Sequence, residues 1–419
     1  MKIGVKRRTV PNITTAQLSQ PPTHHPEPRR RVKATNIMTT TDRPNKTREK
    51  VLVVIQLSGG NDYLNCIVPY QDGFYKDSRP NIRITDEQVI PLDRGYGLNP
   101  GMGPMKTLYD QGKVAIIHGI GYPTPNRSHF RSMDIWHTAE PTTVGSKGWL
   151  GQAIKELDPE GSNPVTAVNF GNGLPRALAA PGVPVASVGD LENYGLLTGV
   201  AGTDQREQAL NAFSRMYTPL LGSDTVMDYL GQTGLDAMRG ADILKEAPLK
   251  YKSNVEYPDN PFAKSLKGVA QVHFADLGTR VFYTQYGSFD THTDEVALQS
   301  NLWSHVSSSL ISFFDDLEEH GLGDEVTVLL FSEFGRRVLD NGTGTDHGSG
   351  GVAFVVGNQV EGGHYAEYPS IDPRDWVQGD LAFNNDFRGL YTDILEDWLE
   401  VEAKPIVNGT FEKIKPFAV

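Results

Sequence analysis

The 419-residue sequence contains a single cysteine, Cys66. One cysteine excludes a disulfide framework, and it excludes zinc or iron–sulfur sites built from several thiolates. A metal ion bound here must therefore be held by histidine, carboxylate, hydroxyl or amide groups. The sequence also has no apolar run that approaches the ~20 residues needed to cross a bilayer, so we expect no integral membrane span.

Several motifs that define large enzyme classes are missing as well. The sequence has no G-x-x-x-x-G-K-[ST] phosphate loop, no G-x-G-x-x-G dinucleotide fingerprint, no H-E-x-x-H pair and no G-x-S-x-G nucleophile elbow. These absences argue against a P-loop NTPase, a dinucleotide-binding enzyme, a zincin protease and an α/β-hydrolase.

Aromatic residues are absent from residues 1–50, which hold 12 Lys and Arg against 3 Asp and Glu, a net charge of +9. We predict a disordered basic tail there, because such a segment cannot bury a core. Residues 1–37 need not belong to the native protein, since Met38 would also make an ordinary start. The pair Arg7-Arg8 lacks the apolar run of a twin-arginine export signal, so we expect a cytoplasmic protein.

The rest of the chain is acidic, with 27 Lys and Arg against 48 Asp and Glu, a net charge of -21. A nucleic-acid groove needs a basic surface, so nucleic acid is not an expected partner. An acidic body does not exclude a phosphate or sulfate site, because bound divalent metals invert the local field.

Five apolar runs predict the strands of one sheet. Each run is short and bounded by turn residues, which is typical of strands buried on both faces. The runs are Val51–Leu57, Val114–Ile120, Arg280–Tyr286, Val326–Phe331 and Gly351–Gly357. Because amphipathic stretches such as Trp303–Glu319 lie between several runs, we expect an α/β fold, a doubly wound, mostly parallel sheet sandwiched by helices. Residues 51–419 would form this domain, with a helical insertion at about 200–265 that shapes specificity.

Polar residues follow each of the first four runs, and another polar group comes just before the fifth. Ligands of parallel sheets bind beyond the carboxyl ends of the strands, so these residues are expected to converge on one rim. Carboxylates, imidazoles and a hydroxyl are groups that bind divalent metals and perform nucleophilic chemistry. In chain order the candidates are Asn61-Asp62, Asn126–His129, Asp290–Asp294, Ser332–Arg336 and Asp346–Gly348.

Each candidate also has a purely structural interpretation. Asp62 follows a strand and Ser128 opens a predicted helix (Ser128–Thr138), so each would serve equally as an N-cap. As a nucleophile, Ser128 would benefit from the free N–H groups of that helix, and Arg127 would pair with an anionic group.

The Asp–His pairs have two interpretations as well. Asp290 and His292 are two positions apart, so both can point one way on an extended segment and bind a metal. The alternative is a carboxylate–imidazole hydrogen bond within a turn. Asp346 and His347 allow the same two interpretations.

The remaining histidines predict less. His118 lies inside a strand and is expected to be a core imidazole. His137 and His273 lie on helical stretches and are expected to be structural. His129 and His364 are candidates for groups that orient the metal ligands through hydrogen bonds without binding the metal themselves.

Six segments of the sequence resemble one family in the family's own order. On them the chain is similar to the domain of unknown function 1501 family, a branch of the alkaline phosphatase and sulfatase superfamily, over roughly residues 51–400. The segments are Leu57–Tyr70, Asn126–Thr138, Gly287–His292, Ser332–Arg336, Thr345–Gly348 and Asn385–Tyr391. The resemblance implies an alkaline-phosphatase-like α/β fold with a metal-bearing rim.

The resemblance also implies roles for particular residues. Asp62 corresponds to the first metal-binding aspartate of the superfamily, and Ser128 to its nucleophile. Two features depart from the superfamily pattern. Phe334 stands where a metal-binding histidine is expected, which questions a second metal. Cys66 is not in a C-x-P-x-R motif, which argues against a formylglycine sulfatase.

We therefore predict a metal-dependent hydrolase of phosphate or sulfate esters, acting on a small-molecule or polymer ester. It would use one or two divalent ions, zinc in the first place and manganese, calcium or magnesium as alternatives. The predicted metal ligands are Asp62, Asp290, His292, Glu333, Asp346 and His347. The predicted catalytic residues are Ser128 as nucleophile, with Arg127 and Arg336 holding the transferred group.

Two other functions fit the same residues. One is a non-catalytic binding module on a degenerate hydrolase scaffold, because fold does not imply function. The other is a metal-free esterase with a Ser128–His347–Asp290 triad.

Overall fold

The computed structural model of the protein describes residues 48–191 and 225–418, together with a few positions between 205 and 216. The predicted basic tail lies outside the described residues up to residue 47, and so does most of the first part of the predicted helical insertion, up to residue 224. The proposed division into a tail and one domain with an insertion therefore stays a prediction.

The strand β1 (Val51–Leu57) lies near the middle of the main sheet, and all of its residues are buried. Successive side chains of a strand point to opposite faces. Val53 and Ile55 join the hydrophobic cluster on one face of the sheet, and Leu52 and Val54 join the cluster on the other. A strand that is apolar on both sides requires a cover on both sides.

The main sheet has the strand order β11-β5-β10-β9-β1-β8-β6-β7, with β12 paired to β5. A small second sheet has the order β2-β4-β3. The strands after β1 are β2 (Ile67–Val68), β3 (Ile90–Pro91), β4 (Gly97–Leu98), β5 (Val114–Gly121), β6 (Ala167–Phe170), β7 (Ala186–Val188), β8 (Val281–Tyr286), β9 (Val326–Phe331), β10 (Gly351–Gly357), β11 (Gly363–Tyr365) and β12 (Asn385–Asp386).

The direction of β10 differs from that of the other strands. β1 pairs in parallel with β8 and β9, whereas β10 is antiparallel to both β5 and β9. Parallel neighbours need a crossover, usually through a helix, and residues 332–350 between β9 and β10 contain no helix. The start of β10 therefore lies at the same edge of the sheet as the carboxyl ends of β1, β8 and β9.

Helices cover both faces of the sheet, which confirms the predicted fold class. Trp303 and Leu310 pack on one face, and Trp136 and Leu390 pack on the other. None of the helices within the described ranges is long and apolar enough to cross a membrane. The helices are α1 (Tyr63–Cys66), α2 (Gly73–Ser78), α3 (Gly103–Asp110), α4 (His129–Thr138), α5 (Trp149–Leu157), α6 (Thr225–Leu244), α7 (Ala247–Lys250), α8 (Pro261–Phe274), α9 (Glu295–Glu319), α10 (Phe387–Asp393), which continues as a π-helical turn at Ile394–Trp398, and α11 (Lys404–Val407).

The carboxyl end of α9 is closed by His320. Its Nδ1 lies 2.8 Å from the carbonyl oxygen of Asp316, and its Nε2 lies 2.8 Å from the carbonyl oxygen of Lys252. Because carbonyl oxygens only accept, both ring nitrogens must donate, which requires the charged imidazolium. Burial by itself lowers the pKa of His320, but these bonds and the nearby carboxylates of Asp316 and Glu319 outweigh it and raise the pKa. The charge is favourable at this end of a helix.

We predict that His320→Asn lowers the free energy of unfolding at acidic pH and has a smaller effect as the pH rises. The stabilisation by the imidazolium is complete below the unfolded-state pKa of about 6.5, and it is lost as the pH rises through the higher folded-state pKa. Urea unfolding of the wild type and the variant between about pH 5 and pH 9 measures the difference. A difference that stays constant over this range would contradict the double-donor assignment.

Candidate metal centre

Several loops meet at the carboxyl edge of the sheet beside β1. The segment after β9 and the segment before β10 run antiparallel to each other, with a bridge between Arg336 and His347. Backbone hydrogen bonds of 2.9 Å from Gly335 to Ser349 and from Gly348 to Gly335 hold the two segments together. The reversed direction of β10 thus brings His347 back to the edge where β9 ends.

Three imidazoles and one carboxylate converge at this edge. His347 Nε2 lies 3.1 Å from Nε2 of His129 and 3.1 Å from Nε2 of His292. Asp290 Oδ1 lies 3.1 Å from His347 Nε2 and 3.0 Å from His292 Nε2, and its Oδ2 lies 3.4 Å from His129 Nε2. The four side chains are between 23% and 42% exposed, so solvent reaches the group.

Each of these imidazoles is anchored through its other nitrogen, Nδ1. In the order His129, His292 and His347, the acceptors are Glu333 Oε1 at 2.8 Å, Asp346 Oδ1 at 3.2 Å and the carbonyl oxygen of Arg127 at 2.8 Å. These oxygens accept hydrogen bonds, so Nδ1 carries the proton in the neutral form of each ring. Each Nε2 then presents its lone pair to the other rings and to Asp290.

This arrangement fits a bound cation. Lone pairs and a carboxylate that face one another at 3.0–3.4 Å repel unless a positive charge lies among them. Ligand distances of about 2.0–2.2 Å to a tetrahedral ion place neighbouring ligand atoms about 3.3 Å apart, and ligand atoms of His129, Asp290 and His347 lie at such separations from one another. Anchoring of the second ring nitrogen by a carboxylate or carbonyl is also the usual environment of metal-binding histidines.

Asp290 is held in its charged form by Arg336. Arg336 Nη2 donates to Asp290 Oδ1 at 2.6 Å, and the guanidinium is buried behind the carboxylate. Burial by itself raises the pKa of Asp290, but the hydrogen bond and the charge of Arg336 outweigh it and lower the pKa. For His129, the hydrogen bond to Glu333 raises the pKa above its usual range, against the effect of burial.

Glu333 ties the loop after β1 to the cluster. Besides His129, its Oε1 accepts a hydrogen bond from the backbone N–H of Gly59 at 2.9 Å. Gly59 has φ +124°, and a Cβ there would lie 2.3 Å from the backbone nitrogen of Asp290. Only glycine permits this approach, and it allows β1 and β8 to present their loops side by side.

Three of the predicted metal ligands meet directly in the cluster: Asp290, His292 and His347. Two more, Glu333 and Asp346, stand one hydrogen bond behind, where each anchors an imidazole. The two carboxylates that were predicted as ligands thus contact the histidines of the group.

The two predicted catalytic arginines have other partners in the structure. The guanidinium of Arg127 donates to Asp380 Oδ2 at 2.9 and 2.7 Å, and its carbonyl oxygen anchors His347. Arg336 donates to Asp290 and to the carbonyl oxygens of Gly60, Phe289 and Thr345.

Ser128 occupies the N-cap position of α4 and is exposed. Among the described residues its hydroxyl makes no hydrogen bond, so it is not joined to His347 or Asp290. His347 Nε2 is directed into the cluster instead, and a Ser–His–Asp triad is not assembled.

Asp62 lies apart from the cluster, in a buried ion pair. Arg79 Nη1 and Nη2 donate to its two carboxylate oxygens at 2.6 and 2.9 Å, and both side chains are fully buried. Burial by itself raises the pKa of Asp62, and Arg79 outweighs it and lowers the pKa. Burial and the charge of Asp62 raise the pKa of the neighbouring Glu295 far above its usual range.

His129 takes part in the cluster directly, although sequence reasoning assigned it at most a supporting role. It is the first residue of α4, directly after the N-cap. The feature of the sequence that could have indicated this role is its position at the start of a helix that follows the end of a strand. The ring of Phe334, which stands where a histidine was expected, packs 4.9 Å from the His129 ring and 5.1 Å from the His347 ring.

A second acidic group does not offer a comparable site. Asp316, Glu319 and His320 also lie close enough together to suggest a metal. Both nitrogens of His320 donate to carbonyl oxygens, so the ring has no lone pair for an ion.

The fold and the cluster define an α/β protein whose mostly parallel sheet carries a histidine–carboxylate group at its carboxyl edge. The family model described as "Protein of unknown function (DUF1501)" matches residues 97–374, more than half of the chain, and the chain belongs to this family. Among curated proteins, none matches the sequence.

Two sulfatases and a protein of the alkaline phosphatase superfamily are among the solved structures that are similar to this chain. The PsFucS1 sulfatase from Pseudoalteromonas sp. is 12% identical with a TM-score of 0.40, covering 88% of this chain and 72% of that one. A putative sulfatase from Bacteroides thetaiotaomicron is 11% identical with a TM-score of 0.37, covering 88% and 77%. An alkaline phosphatase superfamily protein from Vibrio parahaemolyticus is 12% identical with a TM-score of 0.32, covering 81% and 68%. These values are too low to assign a chemistry by likeness.

We predict that Arg79→Met destabilises the fold by about 3–5 kcal/mol, because it leaves a buried carboxylate without its partner. The double variant Asp62→Asn/Arg79→Met is expected to recover part of this loss. Urea unfolding measures both. Asp62→Asn alone should keep any metal that the wild type binds, and loss of metal from a folded Asp62→Asn protein would show instead that Asp62 is a ligand.

Proposed function

We propose that this protein is a metal-dependent hydrolase of phosphate or sulfate esters with one divalent ion held by His129, Asp290, His292 and His347. The observation that carries the proposal is the anchoring of three imidazoles through Nδ1, which leaves three Nε2 lone pairs directed at a single carboxylate. Nitrogen and oxygen donors of this kind suit zinc, with manganese as an alternative. A divalent ion at this place would polarise the ester and neutralise the charge that develops on it.

Ser128 is the proposed nucleophile. It precedes His129, one of the proposed ligands, and its exposed hydroxyl is not engaged by other described residues. The first N–H groups of α4 have no partner within the helix and favour an anionic group beside Ser128. In-line attack by Ser128 Oγ would form a bond to phosphorus or sulfur and break the ester bond, with the serine proton ending on the leaving alcohol oxygen. Water would then cleave the ester on Ser128 and restore the hydroxyl.

The groups behind the ligands are proposed to position them. Glu333, Asp346 and the carbonyl of Arg127 fix the three rings, and Arg336 fixes Asp290. Because Arg336 is fully buried and Arg127 is paired with Asp380, the contacts support positioning roles for both arginines.

We predict that His347→Ala loses bound metal and hydrolytic activity together, because His347 Nε2 contacts every other member of the group. Elemental mass spectrometry on protein purified after growth with zinc and manganese measures the metal. His305→Ala, which removes a half-buried histidine outside the cluster, is the matched control. If His347→Ala keeps the metal content of the wild type, the proposed ligand set is wrong.

Ser128→Ala is expected to keep the metal and to lower kcat by at least about a hundredfold, as expected for the loss of a nucleophile. The assay is hydrolysis of phosphomonoesters, phosphodiesters and sulfate esters by metal-loaded protein. Ser304→Ala, at an exposed position on α9, is the control. Unchanged turnover in Ser128→Ala would exclude Ser128 as the nucleophile.

A non-catalytic metal-binding module is the second candidate function, and one observation favours it. Ser128 has no hydrogen-bonded base among the described residues. Stoichiometric metal without turnover on any of the three ester classes would support this candidate over the hydrolase. Full activity after exhaustive chelation would instead support a metal-free esterase.

A further inference from the structure

A cavity of about 350 Å³ opens at the carboxyl edge of the sheet. His129 and Glu333 form part of its wall, so the cavity adjoins the proposed metal centre. Its volume falls in the range of small-molecule sites. The remaining wall comes from three places: one face of α4, the end of β1 and Arg176.

The face of α4 that lines the cavity is partly apolar. Phe130, Met133, Asp134 and His137 are spaced i, i+3, i+4 and i+7, so they lie on one side of the helix. Phe130 is 91% exposed, the most exposed large apolar side chain among the described residues. Phe130 and Met133 together offer an aromatic ring and a flexible thioether to an occupant of the cavity.

The charged groups of the wall are already paired. Asp134 Oδ2 accepts a hydrogen bond from Arg131 Nη1 at 2.6 Å, and its Oδ1 lies 2.6 Å from Arg176 Nη1 in an ion pair without hydrogen-bond geometry. Arg176 Nη2 also donates to the carbonyl oxygen of Gly145. Asp134 Oδ1 accepts no hydrogen bond but is buried, so the carboxylate offers little to the hydroxyl groups of a ligand.

The polar groups at the end of β1 are largely paired as well. Gln56 Oε1 accepts from His137 Nε2 at 2.9 Å and from the Tyr283 hydroxyl, and Gln56 Nε2 donates to Ser58 Oγ at 2.6 Å. Burial lowers the pKa of His137 to about 4, so this ring is neutral at neutral pH. Ser58 retains one free donor, because its own proton has no acceptor among the described residues.

We propose that this cavity binds the aromatic ring of an aryl ester whose phosphate or sulfate group reaches the metal centre. The inference rests on the proposed function and names its substrate class. The apolar side chains Phe130 and Met133 would contact the faces of the ring, and Ser58 would donate to a polar substituent at its edge. A sugar ring fits less well, because its several hydroxyl groups would be buried against wall groups that are already paired.

The test is binding of non-hydrolysable ligands to the zinc-loaded protein by calorimetry. Phenylphosphonate is compared with methylphosphonate, and benzenesulfonate with methanesulfonate, so the reactivity of a leaving group plays no part. In whichever pair binds, we expect the aryl ligand to have an affinity about tenfold higher than that of its methyl counterpart. Phe130→Ala should reduce this ratio to near one and leave the methyl ligand unchanged.

Two further variants keep the test independent of Phe130, which is next to a proposed ligand. Met133→Ala on the same face should reduce the ratio in part, and Leu249→Ala, an exposed apolar side chain on α7, should not change it. The metal content of each variant is measured alongside.

The outcomes separate the inference from the proposed function. Equal affinities in the wild type, a ratio that survives both cavity variants, or tighter binding of a hexose phosphate than of phenylphosphonate would overturn the aryl assignment while leaving the hydrolase standing. If none of the ligands binds and no ester is turned over, the proposed function fails and the inference fails with it.

Discussion

The buried guanidinium of Arg336 joins four loops at the carboxyl edge of the sheet. It lies in the segment after β9 and donates to the carbonyl oxygen of Gly60 after β1, to Phe289 and Asp290 after β8, and to Thr345 before β10. A buried charge is stable only when its hydrogen-bond donors are satisfied. The donors of Arg336 find their acceptors only when these loops come together around the guanidinium. The geometry of the cluster therefore depends on this one side chain.

The hydrogen-bond partners of the three imidazoles determine which ring nitrogen faces the cluster. An imidazole can present either nitrogen, and the partner of Nδ1 determines which one faces the site. Glu333, Asp346 and a backbone carbonyl settle that choice in the same way for all three rings. Glu333 also holds Gly59, so the same carboxylate orients His129 and closes the loop beside Asp290. The same hydrogen bonds thus fix the position of each imidazole and the nitrogen that carries its proton.

Much of the fold and part of the site followed from local patterns. The apolar runs of β1, β5, β8, β9 and β10 are long enough to show their burial, and strand-end loops pointed to Asp290, His292 and His347. The short strands β6 and β7 were missed, because three or four residues carry too little pattern. The reversal of β10 was missed too, although the connection before it lacks helical periodicity.

The sequence by itself limited the side chains that could hold a metal, because a single cysteine leaves only histidine, carboxylate, hydroxyl or amide groups. It also determined the class of fold, because strands that are apolar on both faces must be covered by helices. Only the tertiary structure decided which carboxylates face the imidazoles and which anchor them. Asp62 and Asp290 both follow strands, yet one is occupied by Arg79 and the other faces three rings. That difference arises from partners far away in the chain, which no local pattern contains.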